Sequence, residues 1–392
     1  MFSRNKQIME ESSNMTEDPR DEFLAVWEIV ILLVILVITV VGNFLVLFAL
    51  YLRRYCGRRR KLTRMYFFMM HLSIADLMTG VLNVLPQLVW DITGGRFQGG
   101  AVLCKMVKFG QPLGHYASTY VLIAGAIDRY HAICYPFNYC RTTHKQAKVM
   151  VYIAWGISLA LCIPQIFIFS YQEISPRIWD CWADFTPPHG QRAYVTWYSI
   201  TVLLLPFSVL VYTYVSVCAE IWKNTEITVF GHRGEVKRMD SRENNREPVI
   251  SRARIKTVKQ MITVVSLHVI TSAPFVGCQL WAAFDPDAVK TSFYEGPAFA
   301  ILSLLSSLTS CVNPWIYMGF NRELRSTLKK YIKKLILGRS MTFDSDFSHH
   351  STNSSTRSTI IGTMVRLASS MYRGKTPRAS DPEPLRNLRE SL

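Results

Sequence analysis

The chain has no Cys-x-x-Cys pair and no regular cysteine spacing. Its nine cysteines are scattered through 392 residues, which argues against a zinc module or a disulfide-rich scaffold. No His-Glu-x-x-His, Gly-x-Ser-x-Gly or Walker-type run occurs, so the common hydrolase and nucleotide-binding signatures are missing and an enzyme is not expected. The basic residues are not interleaved with aromatics in any nucleic-acid motif. Residues 1–24 are polar, with no signal-peptide core ahead of the first apolar segment. No repeat relates the two halves of the chain, as transporters often show.

Long apolar runs fill the space those absences leave. The chain is 49% hydrophobic, and its mean hydropathy is above zero. The clearest run, Trp27 to Leu52, carries one charge, Glu28. It exceeds the roughly 20 residues that span a bilayer. A buried core helix would normally be shorter and amphipathic. Further segments follow at 65–90, 102–135, 147–170, 194–222, 257–284 and 297–320, with the first at 25–52. The expected fold is an all-α membrane protein, a seven-helix bundle over 25–320. Prolines 86, 112, 164, 206, 274 and 314 fall inside these spans, where membrane helices tolerate kinks. Residues 321–337 alternate apolar and basic faces and predict a short amphipathic helix at the membrane surface. Residues 338–392 are rich in Ser, Thr and Arg and predict a disordered tail, with a phosphorylatable cluster from Ser348 to Thr359.

The net charge of +16 is concentrated between spans. Positions 53–64, 223–259 and 321–334 carry most of it, the pattern of cytoplasmic loops facing anionic lipid. Seven basic residues in 53–64 predict an extracellular N-terminus at 1–24 and a cytoplasmic C-terminus. Asn14-Met15-Thr16 is then a candidate glycosylation sequon.

The stretch Cys104–Pro136 organises the chain. Steps of three and four residues give the stripe Lys108, Gln111, His115, Ser118, Leu122, Gly125, Arg129, which shares one helix face. It rises about 31 Å from Lys108 to Arg129, roughly one bilayer core. One buried seam therefore links a polar outer end to an inner arginine, and Pro112 predicts a kink in it. Asp76, inside the second span, is expensive in lipid and is expected to face the bundle. Asn43, Ser118 and Asn313 are its candidate neighbours. They are the oxygen donors of either a sodium site or a structural hydrogen-bond network. Asp128-Arg129-Tyr130 closes the third span, and Asn313-Pro314-x-x-Tyr317 ends the seventh at the same depth.

With those two motifs in place the chain resembles the rhodopsin-like G-protein-coupled receptors over about residues 20–335. Asn43, Asp76, Asp128-Arg129-Tyr130, Trp155, Pro206, Tyr214, Pro274 and Asn313-Pro314-x-x-Tyr317 fall in family order. Within them it resembles the vasopressin/oxytocin receptor family, through LPQLVWDIT (85–93), KFGQPLGHYASTY (108–120), DCWADF (180–185), AYVTW (193–197) and NPWIYM (313–318). That resemblance implies a Cys104–Cys181 disulfide in an oxidising loop. It implies a plasma-membrane receptor for a small cyclic neuropeptide. Contacts would come from Gln87, Lys108, Gln111, Gln165, Gln279 and Phe275, with Arg20 and Glu28 near the first span. Glutamine amides both donate and accept, which suits uncharged peptide amides. The neutral Gln111 is not the carboxylate an amine ligand would want, and ILSLLSSLTS offers no Schiff-base lysine. Heterotrimeric G protein would meet Asp128, Arg129, Tyr130, Tyr214 and Tyr317, and arrestin the phosphorylated tail. The chain departs from the family at Asn83, usually glutamine, and at His268, usually phenylalanine. Ser272 stands where a switch tryptophan is usual, no cysteine follows the seventh span, and Arg254 cannot pair with Arg129. A receptor for another peptide, a weakly coupling receptor and a transporter are the competing readings.

Overall fold

The computed structural model describes residues 22–55, 63–141, 144–175, 178–185, 189–231, 247–285, 287–295 and 297–336. The expected tail, its phosphorylation cluster, Asn14 and Arg20 lie outside the described residues, and so does the side chain of Arg254.

The helices are α1 (Glu22–Tyr55), α2 (Arg64–Thr79), α3 (Leu85–Ile92), α4 (Gly100–Cys134), α5 (Pro136–Arg141), α6 (His144–Cys162) and α7 (Pro164–Ile168). They continue with α8 (Gly190–Ser199), α9 (Leu205–Gly231), α10 (Glu247–Phe284), α11 (Ser292–Glu295), α12 (Pro297–Phe320) and α13 (Arg322–Ile336). π-helical turns at Gly80–Val84 and Ile200–Leu204 join α2 to α3 and α8 to α9. Each lies just before a proline, Pro86 or Pro206. The missing N–H and ring bulk of proline disturb the backbone ladder one turn earlier, and the wider turn absorbs the disturbance.

Six helical stretches among the described residues are long and apolar enough to cross a membrane: Phe23–Arg54, Arg64–Ile92, Lys145–Ile168, Gly190–Lys223, Val258–Phe284 and Pro297–Phe320. The remaining long helix is α4, 35 residues without a break through Pro112. Its polar seam dilutes its hydropathy, and it is the one buried along most of its length by neighbours on several sides. It packs against α2, α6 and α9, while α10 packs on α12, and α12 on α1, which closes the bundle.

The helices are inside-out relative to a water-soluble core. On α1 the exposed face is Leu33, Val34, Val37, Val41 and Phe44, whereas Thr39 and Asn43 are fully buried. Apolar side chains facing outward and polar ones facing inward suit a lipid solvent, in which buried polar groups find partners only inside the bundle. Small residues permit the tight approaches. A Cβ on Gly114 would meet the Thr79 backbone nitrogen at 2.4 Å, and one on Gly42 would meet Pro314 at 2.8 Å.

Outside the spans two elements were not anticipated. Phe169–Ser175 and Ile178–Ala183 pair as an antiparallel hairpin, β1 and β2. The fourth span therefore ends at Ile168, two residues before the expected limit, because the chain turns extended there. The six-residue α5 follows Tyr135, which at φ −130° and ψ 60° has left the helical region before Pro136. The expected surface helix at 321–337 is present as α13.

Candidate functional site

The outer end of the seam is fixed by the hairpin. Cys104 and Cys181 are joined by a disulfide with their Cα atoms 5.5 Å apart, which pins β2 to the first turns of α4. Asp180, next to the bridge and 3% exposed, accepts hydrogen bonds from the backbone N–H of Cys181 at 2.7 Å and of Phe97 at 3.1 Å. Burial raises its carboxyl above the usual carboxylate range. Those two N–H groups and the Lys108 ammonium pull the other way. Lys108 points its Nζ over the Trp90 ring at 4.4 Å and the Phe169 ring at 5.1 Å. Two aromatic faces and one carboxylate hold this cation, and each face contributes about 0.5–2 kcal/mol depending on desolvation.

The four glutamines divide into two kinds. Gln87 donates its amide to Asp91 at 3.0 Å, one turn along the same helix. Gln165, 4% exposed, donates to the Tyr194 hydroxyl. These two amides satisfy neighbours within the protein. Gln111 on α4 and Gln279 on α10 are half-buried, and neither amide hydrogen-bonds a described residue. Phe275 stacks toward Phe299 with ring centres 6.3 Å apart, inside a cluster with Tyr294 and Ala288. Glu28 lies half-buried on α1 and has an interaction partner.

At mid-depth, Asp76 is fully buried. Ser118 donates to Oδ1 at 2.8 Å, and Asn313 donates to Oδ2 at 3.0 Å. Both carboxylate oxygens are thereby paired, which is the condition for keeping such a group in lipid. Asn43 uses its amide nitrogen elsewhere, and its Oδ1 has no hydrogen-bond partner among the described residues. Its amide donates to the Thr39 and Ser310 carbonyls, each at 3.0 Å. It therefore ties α1 to the α12 backbone and does not hydrogen-bond Asp76.

The inner end is a closed circuit of charge. Asp128, 2% exposed, receives Arg129 Nη2 at 2.6 Å and Arg64 Nη1 at 3.3 Å. The Tyr139 hydroxyl donates to the same carboxylate at 3.2 Å, and the Arg64 guanidinium lies 4.3 Å from the Tyr139 ring centre. Arg129 thus folds back on its neighbour in sequence. Tyr214 and Tyr317 are buried nearby, and their hydroxyls have no hydrogen-bond partner among the described residues. A small apolar cavity beside them is bounded by Leu72, Gly125, Arg129, Gln260, Val264 and Tyr317. Tyr130 faces outward from this cluster, toward Tyr135 and Tyr212 with ring centres 5.7 and 6.2 Å away.

The sequence left several of these residues without a role. Arg64 had been counted only as loop charge, yet it is the second cation on Asp128. Tyr139, Trp90, Phe169 and Asp180 had no assigned role. A second inner clasp was equally invisible. Arg53 meets Glu323 at 2.6 Å and lies 4.4 Å from the Tyr66 ring centre, and the Tyr66 hydroxyl donates to Glu323 at 3.0 Å. Arg64 and Asp128 are 64 residues apart, and Tyr66 and Glu323 are 257 apart, separations that leave no spacing signal. Only the fold joins them.

Comparison with known proteins agrees with this arrangement. The family model described as "7 transmembrane receptor (rhodopsin family)" matches residues 42–317. The isotocin receptor of Catostomus commersonii is 38% identical over 344 residues, covering 84% of this chain and 84% of that protein. The vasopressin V1b receptor of Mus musculus is 39% identical over 322 residues, 78% of this chain and 75% of its own length. The annetocin receptor of Eisenia fetida is 35% identical over 373 residues, 82% and 87%. With its bundle, its paired intramembrane carboxylate and its Asp-Arg-Tyr and Asn-Pro-x-x-Tyr ends, this multi-pass membrane protein belongs to the rhodopsin family of seven-transmembrane receptors.

Proposed function

We propose that the chain is a plasma-membrane receptor for a cyclic neuropeptide of the vasopressin/oxytocin type, signalling through heterotrimeric G proteins and not acting as an enzyme. The observation that carries this reading is the identity of more than a third with isotocin, vasopressin and annetocin receptors over most of both chains. The outer wall supports it chemically. Gln111 and Gln279 present neutral amides without a hydrogen-bond partner among the described residues, and Lys108 lies over two rings. Such a surface matches uncharged peptide amides, which both donate and accept hydrogen bonds.

In this reading the peptide contacts Lys108, Gln111, Gln279 and Phe275, with Arg20 and Glu28 at the rim. Gln87 and Gln165 set the shape of the wall from behind, or exchange their internal bonds for ligand ones. Binding shifts the bundle only as far as the ligand prefers the signalling conformation. That conformation releases Arg129 from Asp128 toward the G protein, with Tyr130, Tyr214 and Tyr317 lining the docking face. The N-terminus with Asn14 glycosylated is outside, and the C-terminal tail, as a phosphorylated arrestin contact, is inside. Sodium is the ion best suited to the oxygens of Asp76, Ser118 and Asn313.

The test is a cellular one. Cells expressing the full chain are challenged with a panel of cyclic neuropeptides, and calcium and cyclic AMP are read. A saturable response to vasopressin/oxytocin-type peptides is expected. A response confined to other peptide classes sinks the assignment.

A further inference from the structure

Two imidazoles from different helices meet in the middle of the bundle. The ring centres of His115 on α4 and His268 on α10 are 5.4 Å apart, with planes inclined by 26°. His268 is 4% exposed. Its Nε2 has no partner among the described residues. A neutral imidazole has one donor and one acceptor nitrogen, so the unpartnered Nε2 is free to coordinate in the tautomer that carries its proton on Nδ1. One turn further along α10, the Ser272 hydroxyl is 2% exposed and also without a partner.

A buried ring nitrogen without a partner, beside a second imidazole from another helix, is what a two-histidine metal site requires. The spacing also fits. With zinc–nitrogen bonds of about 2.0–2.1 Å, two imidazoles at a tetrahedral angle on one ion have ring centres about 5 Å apart. Among the described residues no cluster of three or more His, Cys, Asp or Glu exists. The protein thus offers two nitrogens, with Ser272 and water left for the other positions, so the ion would bind reversibly.

We propose that His115 and His268 form a two-histidine site for a borderline divalent cation such as Zn2+, linking α4 to α10 at mid-membrane. An ion there holds the two helices at one separation. The site is independent of which peptide the outer cavity takes, and its test uses no peptide.

The experiment measures thermal unfolding of the purified full-length receptor in detergent, with accessible thiols alkylated and free Zn2+ set by a chelating buffer. Zn2+ at saturation is expected to raise Tm by about 3 °C, as linkage requires of a ligand that binds only the folded state, while Mg2+ does not. His268→Phe and His115→Phe should each abolish most of the rise. Using two positions on different helices guards against one variant that fails to fold. Co2+ absorption of the unsubstituted receptor reads the ligands directly, and nitrogen and oxygen ligation without a thiolate charge-transfer band is expected. No rise in Tm, a rise unaffected by both substitutions, or a thiolate spectrum each overturns the site.

Discussion

The two ends of α4 treat a cation in opposite ways. At the inner end Arg129 is committed to the adjacent Asp128, and that carboxylate also holds Arg64 and Tyr139. At the outer end Lys108 rests over two rings, and its charge partner Asp180 is already occupied by two backbone N–H groups. One turn below it, Gln111 makes no hydrogen bond to a described residue. The Asp128 carboxylate is fully paired, while Arg129 Nε and the Tyr214 and Tyr317 hydroxyls have no hydrogen-bond partner among the described residues, so Arg129 must leave Asp128 before its whole guanidinium can meet another partner. The outer wall retains hydrogen-bonding capacity and needs a ligand to use it. The two ends of one helix thus differ in whether the cation's main partner is a committed carboxylate or a pair of ring faces. The two buried carboxylates nearby make the same point, since both oxygens of Asp76 and of Asp128 are paired.

The largest effect should come from removing what holds the outer wall in place. The Cys104–Cys181 bridge spans 77 residues, and closing a loop of that size is worth about 4 kcal/mol on the chain-entropy estimate. Cys181→Ser should therefore abolish specific peptide binding at the cell surface, as measured by saturation binding on intact cells. Normal affinity in that variant would show that the hairpin does not shape the cavity. At the inner end, Arg129→Ala should reduce the maximal G-protein response at least tenfold while peptide affinity stays within about threefold, since only the signalling state uses the freed guanidinium. Equal losses of binding and signalling would erase the distinction between the two ends.

A finer contrast separates the outer side chains. Lys108→Ala should weaken peptide binding by about 10- to 100-fold, equivalent to about 1.4–2.7 kcal/mol. Gln165→Ala should act differently. It strips the buried Tyr194 hydroxyl of its partner, which costs about 1–3 kcal/mol of stability, so the expected result is a lower Tm in purified receptor. If Gln165→Ala weakens binding with Tm unchanged, the amide faces the ligand and the division of the glutamines is wrong. The smallest effect is expected from Arg64→Met. Arg129 and Tyr139 still hold Asp128 in that variant, so basal signalling should rise only about twofold. A loss of basal signalling would mean that Arg64 supports the active state.

The sequence revealed the spans, the seam and the motif residues because each follows from a local period. Hydropathy located the helices to within a few residues, and the three-and-four step placed Lys108, Gln111, His115, Ser118 and Arg129 on one face of α4. Ser118 and Asn313 do meet Asp76. The misses share one cause. The β1–β2 hairpin lies in a segment whose apolar residues continue a helical span, and only the disulfide and the backbone pairing mark the change. Arg64 and Glu323 looked like surface charges because their partners, Asp128 and Arg53, come from distant parts of the chain. The histidines could be read as satisfied core residues, and Nε2 of His268 does not fit that reading.

The most direct test of the central claim is a paired measurement on one cell population expressing the full-length chain. Displacement of a labelled cyclic peptide and the calcium and cyclic-AMP responses are recorded for the unsubstituted receptor, Lys108→Ala and Arg129→Ala. An outer wall with unused amides, coupled to an inner Arg129–Asp128 pair, predicts that the first substitution shifts displacement and response together, while the second removes the response and leaves displacement nearly in place. No displacement by any vasopressin/oxytocin-type peptide from well-expressed receptor, or identical behaviour of the two variants, would contradict it.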